Sequence, residues 1–401
     1  MKRIKTFITA IAICIFSLIT NEIHAQTNVA PQHIDTDSIE ISLLTCAPGK
    51  EVYSLYGHTA IRYTNYKENI DLAINYGMFS FRKPYFILRF IFGLTDYEMG
   101  IIPFDVFCEE YKSNGRSVLQ QKLNLTSEEK LAIIAAIGKN YLPENRTYRY
   151  NYFYDNCTTR ARDILYKNIN GNVVYSGDTK EKYPSYREMI HELNKDYPWA
   201  RFGNDLLLGL NADKKTDKEE QQFLPFNLKK DFDNAQIVNE DGSKRALVSN
   251  TSTIVESGIQ IIDNENMLRP STCAYIILAI IVLLTVIEYK YKKNFWALDT
   301  LLLIIDGLAG IIIFLMFFSK HPTTSTNLQI FLFNPLPLLF AYRVIKNMIK
   351  NNKDSFWLYA SACLIIFFIG GFFQDYAEGT YILALSLLVR SLWRIYLQKK
   401  K

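Results

Sequence analysis

Five apolar stretches in the last third of this chain constrain its fold more than any other feature. They cover residues 273–289, 296–318, 327–345, 356–373 and 378–394. Several approach the roughly 20 residues that an α-helix needs to cross a bilayer. The last stretch is the weakest, because Arg390 and Arg394 lie near its end. The sequence therefore predicts a transmembrane domain of about five helices over 272–401.

Charges beside these stretches predict the direction of each helix. Basic residues follow the first, third and fifth stretches, whereas the segments after the second and fourth are mostly neutral or acidic. Cytoplasmic loops carry an excess of lysine and arginine. We therefore expect an inner (cytoplasmic) membrane protein with a cytoplasmic C-terminus, in which the segment before the first helix lies in the periplasm.

The N-terminus predicts a secretory signal peptide over 1–25. Three basic residues among the first five precede an apolar run over 7–19, and Ala25 places a small residue before a cleavage site. We expect cleavage after Ala25, and an uncleaved anchor is the alternative. Both put the residues that follow outside the cytoplasm, in agreement with the charge pattern.

Two carboxylates fall within the predicted transmembrane helices. Asp299 and Asp306 are candidates for a functional role, because a charge inside a bilayer is costly and is usually retained for a reason. The alternative is structural, with Asp299 at the membrane interface and Asp306 paired with a neighbouring helix. No dense line of polar residues indicates a transport pathway.

Charge and cysteine content limit the kinds of ligand, cofactor and cross-link that we expect. A net charge of +5 over 401 residues is too small to indicate nucleic-acid binding. Cys46, Cys108 and Cys157 do not form a disulfide framework, although Cys46 and Cys108 could pair and leave Cys157 free. No histidine and cysteine spacing typical of zinc is present, so no metal or other cofactor is expected.

The segment between the signal peptide and the membrane reads as an α+β domain over 26–210 and a polar, partly ordered linker over 211–271. Strands are predicted near 40–45, 59–63, 71–76, 117–124 and 146–154, and helices near 104–112, 126–138 and 161–167. The segment 81–102 interleaves aromatic residues with cations. That pattern is typical of a segment at a membrane surface, and equally of a helix packed on the domain's own core.

A candidate nucleophile lies where a tyrosine-rich strand meets a helix. Cys157 falls in the first turn of that helix, and Asp155 and Asn156 are good N-cap residues. The unpaired N–H groups and the dipole of a helix N-terminus favour a thiolate over a thiol. A lone cysteine in this position is more often an inert small residue, so the interpretation depends on a nearby base.

His58, which follows Gly57 at the start of a predicted strand, supplies that base. A third polar group usually orients the imidazole, and Asn75 and Asp71 on the next strand are the candidates, with Asn75 preferred. The pair suits acyl transfer through an acyl-enzyme.

An oxyanion formed during that transfer would need hydrogen-bond donors. The backbone N–H of Cys157 is one candidate donor. The side chain of Asn156 or of Tyr152 is the other.

Four motifs resemble the Lnb-type lipoprotein N-acyltransferase family. They are LTCAPG at 44–49, GHTAIR at 57–62, NYGMF at 75–79 and YNYFYDNCTTR at 150–160. The resemblance covers roughly 38–210, and the apolar stretches after 270 agree with the family's architecture. It implies a circularly permuted papain-like fold, similar to NlpC/P60 domains, in which a histidine on a strand precedes a cysteine that opens a helix.

The resemblance also implies a reaction. Cys157 would be the catalytic thiol and His58 its base, with Asn75, Asn156 and Arg62 in support. The thiol would take an acyl chain from a membrane phospholipid and pass it to the N-terminal amine of a diacylglyceryl lipoprotein. Two alternatives stay open: a periplasmic cell-wall amidase or endopeptidase of the NlpC/P60 type that uses the same pair, and a non-enzymatic membrane sensor in which Cys157 is structural.

Overall fold

The computed structural model describes residues 35–79, 84–176, 183–259 and 268–399. The predicted signal peptide lies outside the described residues, as do 80–83 of the aromatic and cationic segment. The strands of the N-terminal domain are β1 (Ile39–Cys46), β2 (His58–Asn65), β3 (Ile70–Met78), β4 (Asp96–Pro103), β5 (Val118–Leu123), β6 (Thr147–Arg149), β7 (Asn172–Val174), β8 (Tyr183–Ser185), β9 (Lys215–Thr216), β10 (Gln236–Val238), β11 (Lys244–Ala246) and β12 (Val248–Val255). Its helices are α1 (Phe86–Ile91), α2 (Phe104–Ser113), α3 (Ser127–Tyr141), α4 (Cys157–Tyr166), α5 (Tyr186–Leu193), α6 (Pro198–Leu207) and α7 (Pro225–Asp233). The C-terminal domain contains α8 (Pro270–Tyr291), α9 (Trp296–Met316), α10 (Leu336–Ile349), α11 (Phe356–Gly370) and α12 (Thr380–Lys399).

A seven-stranded antiparallel sheet in the order β12-β5-β1-β2-β3-β4-β6 forms the centre of the N-terminal domain. Side chains alternate between the two faces of a strand, so β1 places Ile41 and Leu43 on one face and Leu44 and Cys46 on the other. Helices α3, α4 and α7 cover the first face, and α2 covers the second. Because both faces are covered, β1 is buried almost throughout.

Several predicted elements are present with similar bounds. The predicted strands near 40–45, 59–63, 71–76 and 117–124 are β1, β2, β3 and β5. Thr126 caps α3, and its side chain and that of Glu129 bond each other's backbone N–H groups as a capping box predicts. Within the segment 81–102, residues 86–91 form helix α1, whereas the second half forms strand β4 of the main sheet, which neither expectation includes.

The region predicted as a linker contributes to the fold. Helix α7 places Leu228 and Phe232 in the main core, and β12 pairs with β5 as an edge of the sheet. The strand β12 is polar and mostly exposed, so its sequence lacks the apolar alternation of an inner strand. The domain therefore continues to Val255.

The C-terminal domain is helical. Three of its helices, α8, α9 and α12, and the segment Leu328–Ile349 are each long and apolar enough to cross a membrane. The apolar helix α11 is shorter, at 15 residues. In the third apolar stretch the regular helix begins only at Leu336, because Pro335 and Pro337 interrupt the ladder of hydrogen bonds before it.

Four buried charges join three of these helices. Arg390 of α12 forms a bidentate pair with Asp299 of α9, at 2.7 and 2.8 Å, and contacts Glu288 of α8 at 2.8 Å. Arg394 also pairs with Asp299. These two arginines made the last apolar stretch the weakest candidate for a transmembrane helix. Two carboxylates neutralise them, and Asp299 is paired inside the bundle.

The loops after α9 and α11 contact the N-terminal domain. The N–H of Gly209 donates to the carbonyl of Thr323 at 2.8 Å, and the side-chain amide of Gln374 donates to the carbonyl of Leu208 at 3.1 Å. At the other end of the bundle the loop after α8 bonds to the end of α10, and the N–H of Asp354 donates to the side chain of Gln398 at 3.2 Å. The helices therefore alternate in direction, and the C-terminus lies away from the N-terminal domain.

Candidate active site

Helix α4 begins at Cys157 because Asn156 caps it. The Asn156 side-chain oxygen accepts hydrogen bonds from the N–H groups of Thr158 and Thr159, at 2.8 and 2.9 Å. The Thr159 hydroxyl accepts in return from the Asn156 N–H at 2.8 Å. This reciprocal cap fixes the first turn, so the thiol occupies the N-terminal position that the sequence predicts.

The side-chain nitrogen of Asn156 also forms hydrogen bonds within the protein. Its nitrogen donates to the carbonyls of Tyr152 and Phe223, both at 2.9 Å. An amide nitrogen carries two protons, and these two bonds use both. Asn156 therefore holds the start of α4 and has no donor left for a substrate oxyanion.

His58 reaches Cys157 because α4 packs against β2 and β3. The hydroxyls of Thr59 and Thr158 are 3.1 Å apart and join the start of β2 to the first turn of α4. Gly57, with φ of +78°, lets the chain enter β2, and a Cβ there would lie 2.7 Å from the carbonyl oxygen of Cys46. In this position the imidazole lies near enough to the Cys157 thiol for each group to shift the pKa of the other.

Asn75 is the side chain that orients the imidazole. Its Oδ1 lies 3.0 Å from His58 Nε2, and a carbonyl oxygen can only accept, so Nε2 carries a proton. The lone pair is then on Nδ1, the ring nitrogen left for the thiol. Asp71, the other candidate, is held instead by the guanidinium of Arg62 at 2.7 and 2.8 Å.

Charge and hydrogen bonding favour an ion pair between Cys157 and His58. Burial alone would raise the pKa of Cys157, but the positive charge of His58, its hydrogen bond, and donation from the Thr59 N–H lower that pKa to about 7. Burial lowers the pKa of His58, but the adjacent thiolate and the Asn75 hydrogen bond outweigh it and raise that pKa. A thiolate is therefore accessible near neutral pH.

One of the expected supporting residues lies apart from this pair. Arg62 is four residues along β2 from His58, which is about 13 Å at the usual rise of a strand. Its guanidinium pairs with Asp71 and lies 3.7 Å from the ring centre of Phe104. Tyr152 lies near the pair instead: burial, Tyr56, Tyr150 and Cys157 all raise its pKa, and within the described residues its hydroxyl has no hydrogen-bond partner.

Tyr148 is a site residue that sequence reasoning missed. Its side chain is buried, and within the described residues its hydroxyl has no hydrogen-bond partner. It lies 3.8 Å from the point that a Cβ on Gly77 would occupy, and the Cys157 Cβ lies 3.7 Å from the same point. Burial raises the pKa of Tyr148, so the hydroxyl keeps its proton and can donate it.

Nothing in the sequence distinguishes Tyr148 from the tyrosines at 150 and 152. The fold distinguishes Tyr148 from the other two tyrosines. The guanidinium of Arg160 stacks over the Tyr148 ring at 3.4 Å and forms a hydrogen bond with Asp155 at 2.6 Å. The tyrosine ring is thus held in place, with its hydroxyl beside Gly77, which also contacts Cys157.

No group of three or more histidine, cysteine or acidic residues suited to a metal occurs among 35–79, 84–176, 183–259 and 268–399. Cys46 and Cys108 are both free thiols, and Cys46 forms a hydrogen bond with Tyr111.

Comparison with known proteins matches family models to both domains. The model described as the Lnb N-terminal periplasmic domain matches residues 25–191, and the model described as the Lnb transmembrane domain matches residues 262–401. No curated protein and no solved structure matches the chain.

Proposed function

Because this chain belongs to the Lnb family, we propose that it is a membrane-bound lipoprotein N-acyltransferase that works through a thioester on Cys157. It is a membrane protein with a periplasmic N-terminal domain. The acyl donor is a membrane phospholipid, and the acceptor is the N-terminal amine of a diacylglyceryl lipoprotein. The observation that carries the proposal is that Cys157 and His58 lie close enough to shift each other's pKa, while Asn75 Oδ1 lies 3.0 Å from His58 Nε2.

The first half of the reaction forms the acyl-enzyme. The Cys157 thiolate attacks the ester carbonyl of the donor and forms a tetrahedral oxyanion, toward which the Tyr148 hydroxyl and the Cys157 N–H donate. The C–O bond then breaks, and the His58 imidazolium gives its proton to the departing lysophospholipid alcohol. The thioester and a neutral imidazole remain.

The second half transfers the chain. The lipoprotein amine attacks the thioester carbonyl while His58 Nδ1 takes a proton from the amine. The C–S bond breaks, an amide forms, and the thiolate and imidazolium pair is restored. Asn75 holds the same tautomer and ring orientation through both halves.

The order of the site residues supports a permuted papain-like arrangement in the periplasmic domain, with His58 on a strand before Cys157 at a helix start. The proposed topology has five membrane helices. The shorter helix α11 is counted among the five, because the helices then alternate in direction and the loops after α9 and α11 both face the N-terminal domain. The C-terminus then lies in the cytoplasm, beside the basic loops.

Mass spectrometry of a lipoprotein's N-terminal peptide tests the proposal. The measurement compares cells that have wild-type protein with cells that have Cys157→Ala at equal abundance, in a strain without another N-acyltransferase. We expect the Cys157→Ala peptide to lack the third acyl chain. Cys108→Ala is the matched control, since Cys108 is also a free thiol but lies on the opposite face of the sheet. An unchanged triacyl peptide in Cys157→Ala would exclude this function.

A further inference from the structure

Three side-chain amides of the membrane domain hold the end of helix α6 in the periplasmic domain. We call Asn327, Gln329 and Gln374 the amide cluster, and each of them is at most 1% exposed. Their nitrogens donate, in that order, to the carbonyls of Leu206, Asp205 and Leu208, at 2.8, 2.8 and 3.1 Å. The last carbonyls of a helix have no partner within it, so the membrane domain supplies the donors that α6 lacks.

The amide cluster is also fixed within the membrane domain. Asn327 Oδ1 accepts a hydrogen bond from Gln374 Nε2 at 2.9 Å, and the Gln374 side-chain oxygen accepts from the Leu328 N–H at 2.8 Å. The Gln329 side-chain oxygen accepts from the Ala377 N–H at 3.2 Å. Each amide thus bonds the membrane domain through its oxygen and the end of α6 through its nitrogen. Buried amides that are satisfied at both ends are held in one orientation.

Helix α6 extends this attachment to a tyrosine beside the candidate active site. Asn204, the residue before the first of the bonded carbonyls, donates from its side chain to the Tyr56 hydroxyl at 2.5 Å. Asn194, at the end of α5, donates to the same hydroxyl at 3.4 Å. Only Gly57 separates Tyr56 from His58. The position of α6 therefore determines where the chain begins its approach to His58.

Tyr56 also contacts the segment that carries the thiol. Its ring packs edge-on against the ring of Tyr152, with centres 5.1 Å apart. The Tyr152 carbonyl accepts a hydrogen bond from the side chain of Asn156, which caps α4 immediately before Cys157. Tyr56 is thus joined to both halves of the pair, to His58 along the chain and to Cys157 through this packing.

We propose that the amide cluster positions His58 beside Cys157, through α6 and the hydroxyl of Tyr56. This inference rests on the proposed function and deepens it, because it gives the membrane domain a part in arranging the candidate active site. The residues of the amide cluster are positioning residues, since they act on the pair through α6. An attachment that only joined the two domains would not need this burial: the exposed bond from the Asn211 side chain to the Pro322 carbonyl, at 3.0 Å, joins them as well.

The test measures the pH at which alkylation of Cys157 by iodoacetamide reaches half its limiting rate, in the full-length protein in detergent. We expect Gln329→Leu and Gln374→Leu each to raise this midpoint by about half a unit to one unit, because the positive charge of His58 would lie farther from the thiol and favour the thiolate less. Leucine is close to glutamine in volume but leaves a carbonyl of α6 without its donor. His58→Ala gives the largest rise that the loss of this charge can cause.

Tyr56→Phe tests the same series of contacts without altering the contact between the domains. It removes the hydroxyl that α6 holds and keeps the ring that packs on Tyr152. We expect the midpoint to rise as it does in Gln329→Leu. In the double variant the rise should not exceed the larger of the two single rises, because both changes break one series of contacts. Rises that add in the double variant would mean that the two residues act independently, which overturns the proposal.

Two control variants remove amide bonds outside this series. Asn294→Leu removes a bond to the Met348 carbonyl, which is 2.7 Å long and lies at the opposite end of the membrane domain. Asn211→Ala removes the exposed bond between the domains. We expect both to keep the wild-type midpoint, even where Asn294→Leu lowers the melting temperature. A rise in Asn294→Leu equal to that in Gln329→Leu would reflect a general loss of stability and would overturn the positioning role.

The remaining outcomes separate this inference from the proposed function. An unchanged midpoint in Tyr56→Phe overturns the inference, even if the glutamine variants fail to fold. That result leaves the proposed function standing, because the lipoprotein peptide with Cys157→Ala tests it separately. A wild-type midpoint at the ordinary pKa of a free thiol would show that His58 does not act on Cys157, and it would overturn both.

Discussion

His58 Nε2 lies 3.0 Å from Asn75 Oδ1, and this hydrogen bond determines which ring nitrogen is available to Cys157. The two residues lie on adjacent strands, β2 and β3, where Asn75 is directly opposite Ala60. A rigid antiparallel pair thus positions the base, and the helix that packs on it positions the thiol.

Replacement of Asn75 by alanine is expected to slow acylation about ten- to a hundredfold. The imidazole would lose the bond that fixes its tautomer, and a hydrogen bond of this kind is worth about 1–3 kcal/mol, where about 1.4 kcal/mol is a factor of ten in rate. Single-turnover thioester formation measures the effect. Arg62→Ala is the control: we expect a lower melting temperature and a rate near wild type, because Arg62 supports Asp71 and Phe104 rather than His58. Equal rates in Asn75→Ala and wild type would contradict the orienting role.

The pH dependence of Cys157 alkylation tests the ion pair. The thiolate reacts and the thiol does not, so the rate should fall as pH drops through the Cys157 pKa, which is about 7. In His58→Ala the opposing charge is gone and burial then raises the pKa, so the midpoint should move to higher pH. Peptide mass spectrometry after brief iodoacetamide treatment reads the site. Cys46, whose pKa burial raises to about 12, serves as an internal control that stays unmodified. An unshifted midpoint in His58→Ala would rule out the pair.

Tyr148→Phe is expected to reduce the acylation rate without reducing stability. Removal of one oxyanion donor costs about a hundred- to a thousandfold in other acyl-transfer enzymes. The Tyr148 hydroxyl has no partner within the described residues, so its loss breaks no hydrogen bond there. Tyr76→Phe is a matched control in the same core, since the Tyr76 hydroxyl accepts from Asn140 at 3.3 Å. We expect that control to lose about 1 kcal/mol of unfolding free energy and to keep its rate. Full activity in Tyr148→Phe would remove this residue from the mechanism.

The parts of this fold that follow local rules could be predicted from the sequence. The strands β1 and β2 are recognisable from their β-branched and apolar residues, and Thr126 with Glu129 marks the start of α3. Strand β4 was not predicted, because its residues adjoin an aromatic and cationic segment that obscures the alternation. Strand β12 was read as part of a linker, since an exposed edge strand has no apolar face to detect.

Some features of the candidate site could likewise be predicted from the sequence, and others could not. Cys157 and His58 were each recognisable from a local setting, and the structure brings them together with Asn75. The side-chain nitrogen of Asn156 uses its second proton in a hydrogen bond to the carbonyl of Phe223, which lies far away in sequence. The position of Tyr148 depends in the same manner on the stacked Arg160. Such long-range contacts leave no periodic trace in the sequence.

The buried charges of the membrane domain give the last prediction. Arg390→Met would leave Asp299 and Glu288 with Arg394 alone, so one negative charge would be uncompensated inside the bundle. Breaking a buried pair in this way usually costs about 3–5 kcal/mol, far more than the pair contributes relative to apolar residues of similar size. We expect a large drop in the temperature at which the full chain in detergent loses its monodisperse gel-filtration peak.

Two comparisons isolate charge balance from side-chain volume. Adding Glu288→Gln to Arg390→Met removes the excess negative charge and should recover part of the lost stability. Arg343→Met removes the half-exposed partner of the buried Asp354, and a change of at most about 1 kcal/mol is expected because Asp354 keeps the hydrogen bonds from Asn347 and from the Phe356 N–H. If the single and double variants at Arg390 melted alike, the cluster would act through packing. Recovery in the double variant would instead mean that neutralisation of charge, rather than any one contact, is what lets α12 join α8 and α9 in the bilayer.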